Sequence, residues 1–114
     1  MSDQDRIIPE RLKQRFPMKT LTDIRAAIRQ HARVLAEKYG IAVVGIFGSY
    51  VRGEQKRESD LDLLVEMLEP ISLLELTGAE LYLTEALDTK VDLVPKRSIR
   101  EELRETILRE AVAI

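Results

Sequence analysis

The sequence predicts an α/β domain with one core, and three observations predict it. Apolar runs rich in β-branched residues at 41–47, 60–66 and 90–94 have the length of strands. They alternate with longer segments whose apolar residues recur every three or four positions, the period of a helix. Each of those segments opens on a Ser/Thr-x-x-Glu/Asp box: Thr20 with Asp23, Ser72 with Glu75, and Ser98 with Glu101. Strand-like and helix-like segments in alternation indicate a sheet covered by helices. A chain of 114 residues supports a single core.

The elements follow in order. Residues 1–19 are read as an N-terminal arm or short helix, with Ile7, Ile8, Leu12 and Phe16 as its apolar stripe and Pro9 and Pro17 bracketing it. Packing or contact with a partner is its expected use. Residues 20–114 form the domain proper. Its first helix places Leu21, Ile24, Ile28, Leu35 and Tyr39 on one side and runs to Gly40, a C′ residue before the strand Ile41 to Phe47. The second strand spans 60–66. The second helix follows Pro70, carries Leu73, Leu76, Leu83 and Leu87, and ends near Asp88; Gly78 inside it is expected to permit close packing. After the strand at 90–94 and Pro95, the third helix puts Ile99, Leu103, Ile107 and Ala111 on one stripe.

Composition excludes several classes of function. With 18 basic and 20 acidic side chains and a net charge of −2, the chain lacks the basic excess of a generic nucleic-acid binder. Aromatic residues make up 4% of it, too few for a stacking platform. The absence of cysteine removes disulfides, zinc-thiolate sites and thiol catalysis together. A polar N-terminus and apolar runs far shorter than the ~20 residues of a membrane helix predict a soluble, cytoplasmic protein without membrane contact.

The chemistry is carried by Gly48-Ser49, ten further residues, and then Asp60-Leu61-Asp62. Residues two apart on a strand project from the same face, roughly 6.5 to 7 Å apart, so Asp60 and Asp62 point together while Leu61 and Leu63 enter the core. Two carboxylates that close repel each other unless a cation neutralises them, and a hard divalent ion such as magnesium suits oxygen ligands. Gly48 allows close approach of backbone to ligand, and Ser49 starts a short helix whose free N–H groups face an anion. Triphosphate is an anion that also binds magnesium. Asp92, between Val91 and Leu93, has the same parity as Asp60 and Asp62 and supplies a third acid. The four fixed residues at this spacing arise by chance in a chain of this length with a probability of about 10⁻³. Arg52, one helical turn from Ser49, is the expected cation for the phosphates, whereas Lys56 and Arg57 are interleaved with Glu54 and Glu58 and suit a solvated loop equally well. His31 between Ile28 and Leu35 reads as a structural histidine, and Tyr50 as a tyrosine packed beside the site.

These motifs resemble those of the minimal nucleotidyltransferases of the DNA polymerase β superfamily, the antitoxin halves of two-gene modules. The likeness runs through Gly48 to Glu54, Glu58 to Val65, Val91 to Val94 and Ile107 to Ala111. It implies a small mixed sheet with flanking helices. It further implies transfer of AMP from ATP to a tyrosine of a partner HEPN-domain protein, a helical ribonuclease toxin silenced by the modification. By the same resemblance Gly48 and Ser49 contact the triphosphate, Asp60 and Asp62 hold two magnesium ions, and Asp92 completes the catalytic metal site. Two alternatives stand beside this expectation. One is a nucleotidyltransferase acting on a small molecule; the other is an antitoxin that masks its partner by binding alone.

Overall fold

The computed structural model describes residues 20–56 and 58–114, so the expected N-terminal arm and Arg57 lie outside the described residues. Helix α1, Leu21–Gln30, opens on the predicted box: the Thr20 hydroxyl accepts from the Asp23 N–H at 3.1 Å and the Asp23 carboxylate accepts from the Thr20 N–H. The sequence predicts one helix from here to Gly40, but the structure breaks it at His31. A second helix, α2, spans Ala32–Tyr39 and ends at the left-handed Gly40 as expected. His31 sits at φ −104° and ψ 4°, outside the helical basin, and its Nδ1 lies 2.6 Å from the Tyr82 hydroxyl. Periodicity along one segment does not register a contact made 51 residues away.

Strand β1, Ile41–Phe47, leads into the short helix α3, Ser49–Arg52; strand β2 is Leu61–Met67, and helix α4 is Leu73–Leu87. The Ser72–Glu75 box caps α4 with reciprocal bonds of 2.8 and 3.1 Å. Strand β3, Val91–Pro95, is followed by a 3₁₀ turn at Lys96–Ser98, helix α5 at Glu101–Glu110, and strand β4 at Val112–Ala113. The Ser98–Glu101 box is not used. The 3₁₀ turn consumes Ser98, Ile99 is buried in extended conformation, and α5 begins after Arg100 without a side-chain cap. Glu101 and Glu102 in its first turn suit the positive end of the helix dipole. The expected apolar stripe of α5 is only partly covered: no residue of α5 is buried, and Leu103 is 45% exposed.

The sheet is mixed, in the order β3-β2-β1-β4, with β2 and β3 parallel and both other pairs antiparallel. A bulge between Val43 and Gly45 interrupts the β1–β2 ladder and increases local twist. The main core joins Ile24, Ile28 and Leu35 of α1 and α2, Leu76, Ala79, Leu83 and Leu87 of α4, and Ile41, Ile46, Leu61, Leu63, Val65, Val91 and Leu93 of the sheet. Burying such side chains is worth roughly 1.5–3 kcal/mol each, which fixes the alternation of β2 and β3 and with it the face on which their acids stand. Gly78 lies against the Tyr39 ring, where an added Cβ would come within 3.3 Å of Cε1, so its role is the close packing expected of it. Among the described residues, no helix is long and apolar enough to cross a membrane.

Candidate active site

Leu61, Leu63, Val91 and Leu93 are all buried, so the intervening Asp62 and Asp92 project from the opposite face of the sheet, as their parity predicts. The parallel register places Asp62 directly beside Asp92, a strand spacing of about 4.8 Å at the backbone. Asp60 stands one residue before β2 and not inside it, with Lys90 Nζ 3.7 Å from its Oδ2. Asp62 is the least solvated of the three. Its carboxyl is pushed up to about 6, first by burial and then by the charges of Asp92 and Asp60, with Arg52 acting weakly the other way.

The glycine–serine turn is built onto this carboxylate. Gly48, between β1 and α3, has φ 83° and ψ −153°, a region that side-chain-bearing residues avoid. A Cβ at this position would overlap Asp62 Oδ2. Phe47 is the register partner of Asp62, so the end of β1 delivers Gly48 to the carboxylate. Tyr50 is 6% exposed and packs in the core as expected; burial pushes its hydroxyl up, an effect opposed by Thr89 and reinforced by Asp60.

Arg52, the expected cation for the phosphates, is held by two acids of the chain. Its Nε donates to Glu54 at 2.9 Å, and its Nη1 donates to both carboxylate oxygens of Glu110 at 3.1 Å. Glu54 first, and Glu110 after it, raise the Arg52 guanidinium above its ordinary value. Glu110 Oε1 also accepts from the Gly48 N–H at 3.2 Å. Sequence reasoning missed Glu110 as a site residue, because its place beside residue 48 depends on the return of the chain through β4. Lys56 donates its backbone N–H to the Ser59 hydroxyl at 2.7 Å, in keeping with a loop residue.

Comparison with known proteins gives this arrangement a context. Residues 28–114 match the model of the nucleotidyltransferase domain family. The chain belongs to that family. It is 43% identical over 97 residues to the protein adenylyltransferase MntA of Thermococcus cleftensis, an alignment covering 85% of this chain and 98% of that protein. A solved structure described as a candidate minimal nucleotidyltransferase shares 37% identity at a TM-score of 0.70, over 86% of this chain and 99% of that one. A toxin–antitoxin complex crystallised with AMP-PNP shares 27% identity at a TM-score of 0.65, over 77% of this chain and 69% of that one.

Within this nucleotidyltransferase domain, the donor set suits a divalent cation. Asp60, Asp62 and Asp92 offer hard oxygen ligands, and their mutual repulsion at Asp62 is the kind of charge that a cation relieves. As the side chains lie, no group of three acidic or histidine side chains among the described residues closes around a single point. Coordination therefore requires rotamer adjustment of carboxylates whose backbone positions are already set by β2 and β3.

Proposed function

We propose that this nucleotidyltransferase is a magnesium-dependent protein adenylyltransferase that transfers AMP from ATP to a tyrosine hydroxyl of a partner HEPN-domain toxin, and so acts as its antitoxin. The observation that carries this reading is Asp62 held beside Asp92 and against the Gly48 turn, on a face backed by buried leucines and valines. Similarity to MntA and to a toxin–antitoxin complex that holds AMP-PNP supports protein as the acceptor and ATP as the donor.

Asp60 and Asp62 would hold the cations that accompany the triphosphate, and Asp92 would complete the set on the acceptor side. Magnesium, when bound, would supply acidity to the acceptor hydroxyl and offset charge on the departing pyrophosphate. Gly48, lacking a Cβ, lets the Asp62 carboxylate pack against the turn, and Ser49 follows it at the start of α3. The reaction is an in-line displacement: the bond from the tyrosine oxygen to the α-phosphorus forms, the bond from that phosphorus to pyrophosphate breaks, and the hydroxyl proton is released. The sheet's contribution is to set the backbone positions of Asp62 and Asp92 before the substrates arrive, with Asp60 one residue before β2.

The test is incubation of the purified protein with magnesium, ATP labelled at the α-phosphate and lysate of its native host, beside an Asp60→Asn control. A labelled protein of small mass, modified on tyrosine and absent from the control, is the expected result. Label in a small molecule would overturn the choice of acceptor. No label, with the partner still neutralised by the Asp60→Asn protein, would replace catalysis by masking.

A further inference from the structure

The Glu110 carboxylate lies at the end of α5, yet its three hydrogen bonds all reach Gly48 and Arg52, in and beside the glycine–serine turn. Oε1 accepts from the Gly48 N–H at 3.2 Å, and Oε1 and Oε2 each accept from Arg52 Nη1 at 3.1 Å. The side chain is 26% exposed, which makes it the better shielded partner of its pair with Arg52, 45% exposed. Its backbone is anchored as well. Ala111 donates to Ile107 O at 2.9 Å, and β4 begins at once, with Val112 opposite Ile46 and Ala113 opposite Gly45.

Gly48 is consequently held from two sides. Asp62 fills the space where a Cβ would stand, and Glu110 takes its N–H. Because of that bond, the Gly48 N–H is not available to a phosphate. The groups that remain are further along the turn: among the described residues, no acceptor stands on the N–H of Ser49 or Tyr50, whereas Val51 and Arg52 both donate to Gly48 O at 3.0 and 3.2 Å. Arg52 is likewise committed, with Glu54 on its Nε and Glu110 on its Nη1.

We propose that Glu110 is a positioning residue for nucleotide binding: by clamping the Gly48 N–H and Arg52 it sets the orientation of the glycine–serine turn beside Asp62. The inference rests on the nucleotidyltransferase reading of the site and names a residue through which the C-terminal helix governs it. A charge-assisted bond to a backbone N–H and a guanidinium is stronger than a neutral one, which suits a carboxylate to this task. Glutamine keeps the acceptor oxygen for Gly48 and loses the charge opposite Arg52.

The experiment combines titration with AMP-PNP and magnesium and amide hydrogen exchange in the full chain. Glu110→Ala should weaken AMP-PNP binding about tenfold and speed exchange at Gly48 by a similar factor. Glu110→Gln should restore both to within about threefold of the parent protein. Glu105→Ala, on the same helix but facing Arg109, should change neither. AMP-PNP bound as tightly or more tightly by Glu110→Ala would overturn the proposal, the tighter case making Glu110 a competitor of the nucleotide. If Glu110→Ala does not fold, Arg52→Gln decides: it removes the other partner of the clamp and should weaken AMP-PNP binding with the fold intact, and unchanged affinity overturns the proposal. Failure of the parent protein to bind AMP-PNP would instead defeat the reading of the site as an ATP-dependent adenylyltransferase, and the Gly48 exchange rates would still judge the clamp.

Discussion

Negative charge is handled in opposite ways on the two sides of Gly48. On the strand side, Asp62 stands beside Asp92 and near Asp60, and the cost is visible in a carboxyl pushed up to about 6. On the helix side, Glu110 and Glu54 each meet Arg52, and Glu110 also meets a backbone N–H. The first arrangement leaves carboxylates facing one another at the cost of repulsion; the second matches each acid to a donor within the chain. Acids gathered without donors serve a ligand, whereas acids matched to donors hold a shape.

The comparison breaks most severely at Asp62. Asp62→Asn should lower magnesium-dependent transfer by about 10³-fold, the scale expected when charge stabilisation aimed at the transition state is lost. Circular dichroism should be unchanged, since the carboxylate makes no bond that the fold needs. Asp92→Asn separates the roles further: AMP-PNP binding should survive while transfer fails. Equal loss of binding in both variants would show that Asp92 belongs to the nucleotide side of the site.

Gly48→Ala tests the junction of the two sides. Backbone strain at φ 83° and overlap with Asp62 Oδ2 should together cost about 3 kcal/mol in urea unfolding. In an Asp62→Ala background the overlap disappears and the strain remains, so the cost should fall by about 1 kcal/mol. A cost that did not change would place the whole effect in the backbone.

How much of this was legible in the sequence follows from which forces act locally. Strand β1 has the predicted bounds, and β2 and β3 are displaced by one residue, because β-branched runs ended by Gly48 and Pro95 state their own limits. The parity of Asp62 and Asp92 was legible for the same reason: alternation is a property of the strand alone. The break at His31 was not, since it coincides with a bond to Tyr82 across the fold. Ser98 carried a correct local signal that lost to tertiary packing, because burial of Ile99 in extended conformation displaced the helix start to Glu101. Glu110 lies in the Ile107–Ala111 stretch that carries the family resemblance, but nothing in the sequence ties it to Gly48. Its importance arises only when β4 pairs with β1, and a two-residue strand has no periodicity to read.

The acidic side also has a pH signature. Folding raises the Asp62 carboxyl from its ordinary 3.8 to about 6, so the unfolded chain releases this proton more readily and ionisation opposes folding. The penalty is absent below about pH 4, grows through pH 4–6 and is full above it. A shift of this size corresponds to about 3 kcal/mol, which partial solvent screening reduces to about 1 kcal/mol. Without magnesium, Asp62→Asn should therefore be more stable than the parent protein by about 1 kcal/mol at pH 8 and equal to it near pH 4. Thermal unfolding at the two pH values measures this. A variant less stable at pH 8 would mean that Asp62 is already compensated, and the contrast between the two sides would fail.

Lys90 offers the finest test of that contrast, because its Nζ, 3.7 Å from Asp60 Oδ2, is the counter-charge closest to the acids among the described ion pairs. The lysine side chain is 73% exposed and the aspartate 44%. A pair so open to water contributes little, about 0.5 kcal/mol or less. Lys90→Ala should leave stability within that margin and strengthen magnesium binding slightly, since one competing cation is gone from the edge of the cluster. Arg52, by contrast, is engaged by two acids of its own and only weakly offsets the charge at Asp62. If Lys90→Ala instead weakened magnesium binding or cost more than about 1 kcal/mol, the strand side would be held together by its own counter-charge, and the two sides of Gly48 would differ in degree and not in kind.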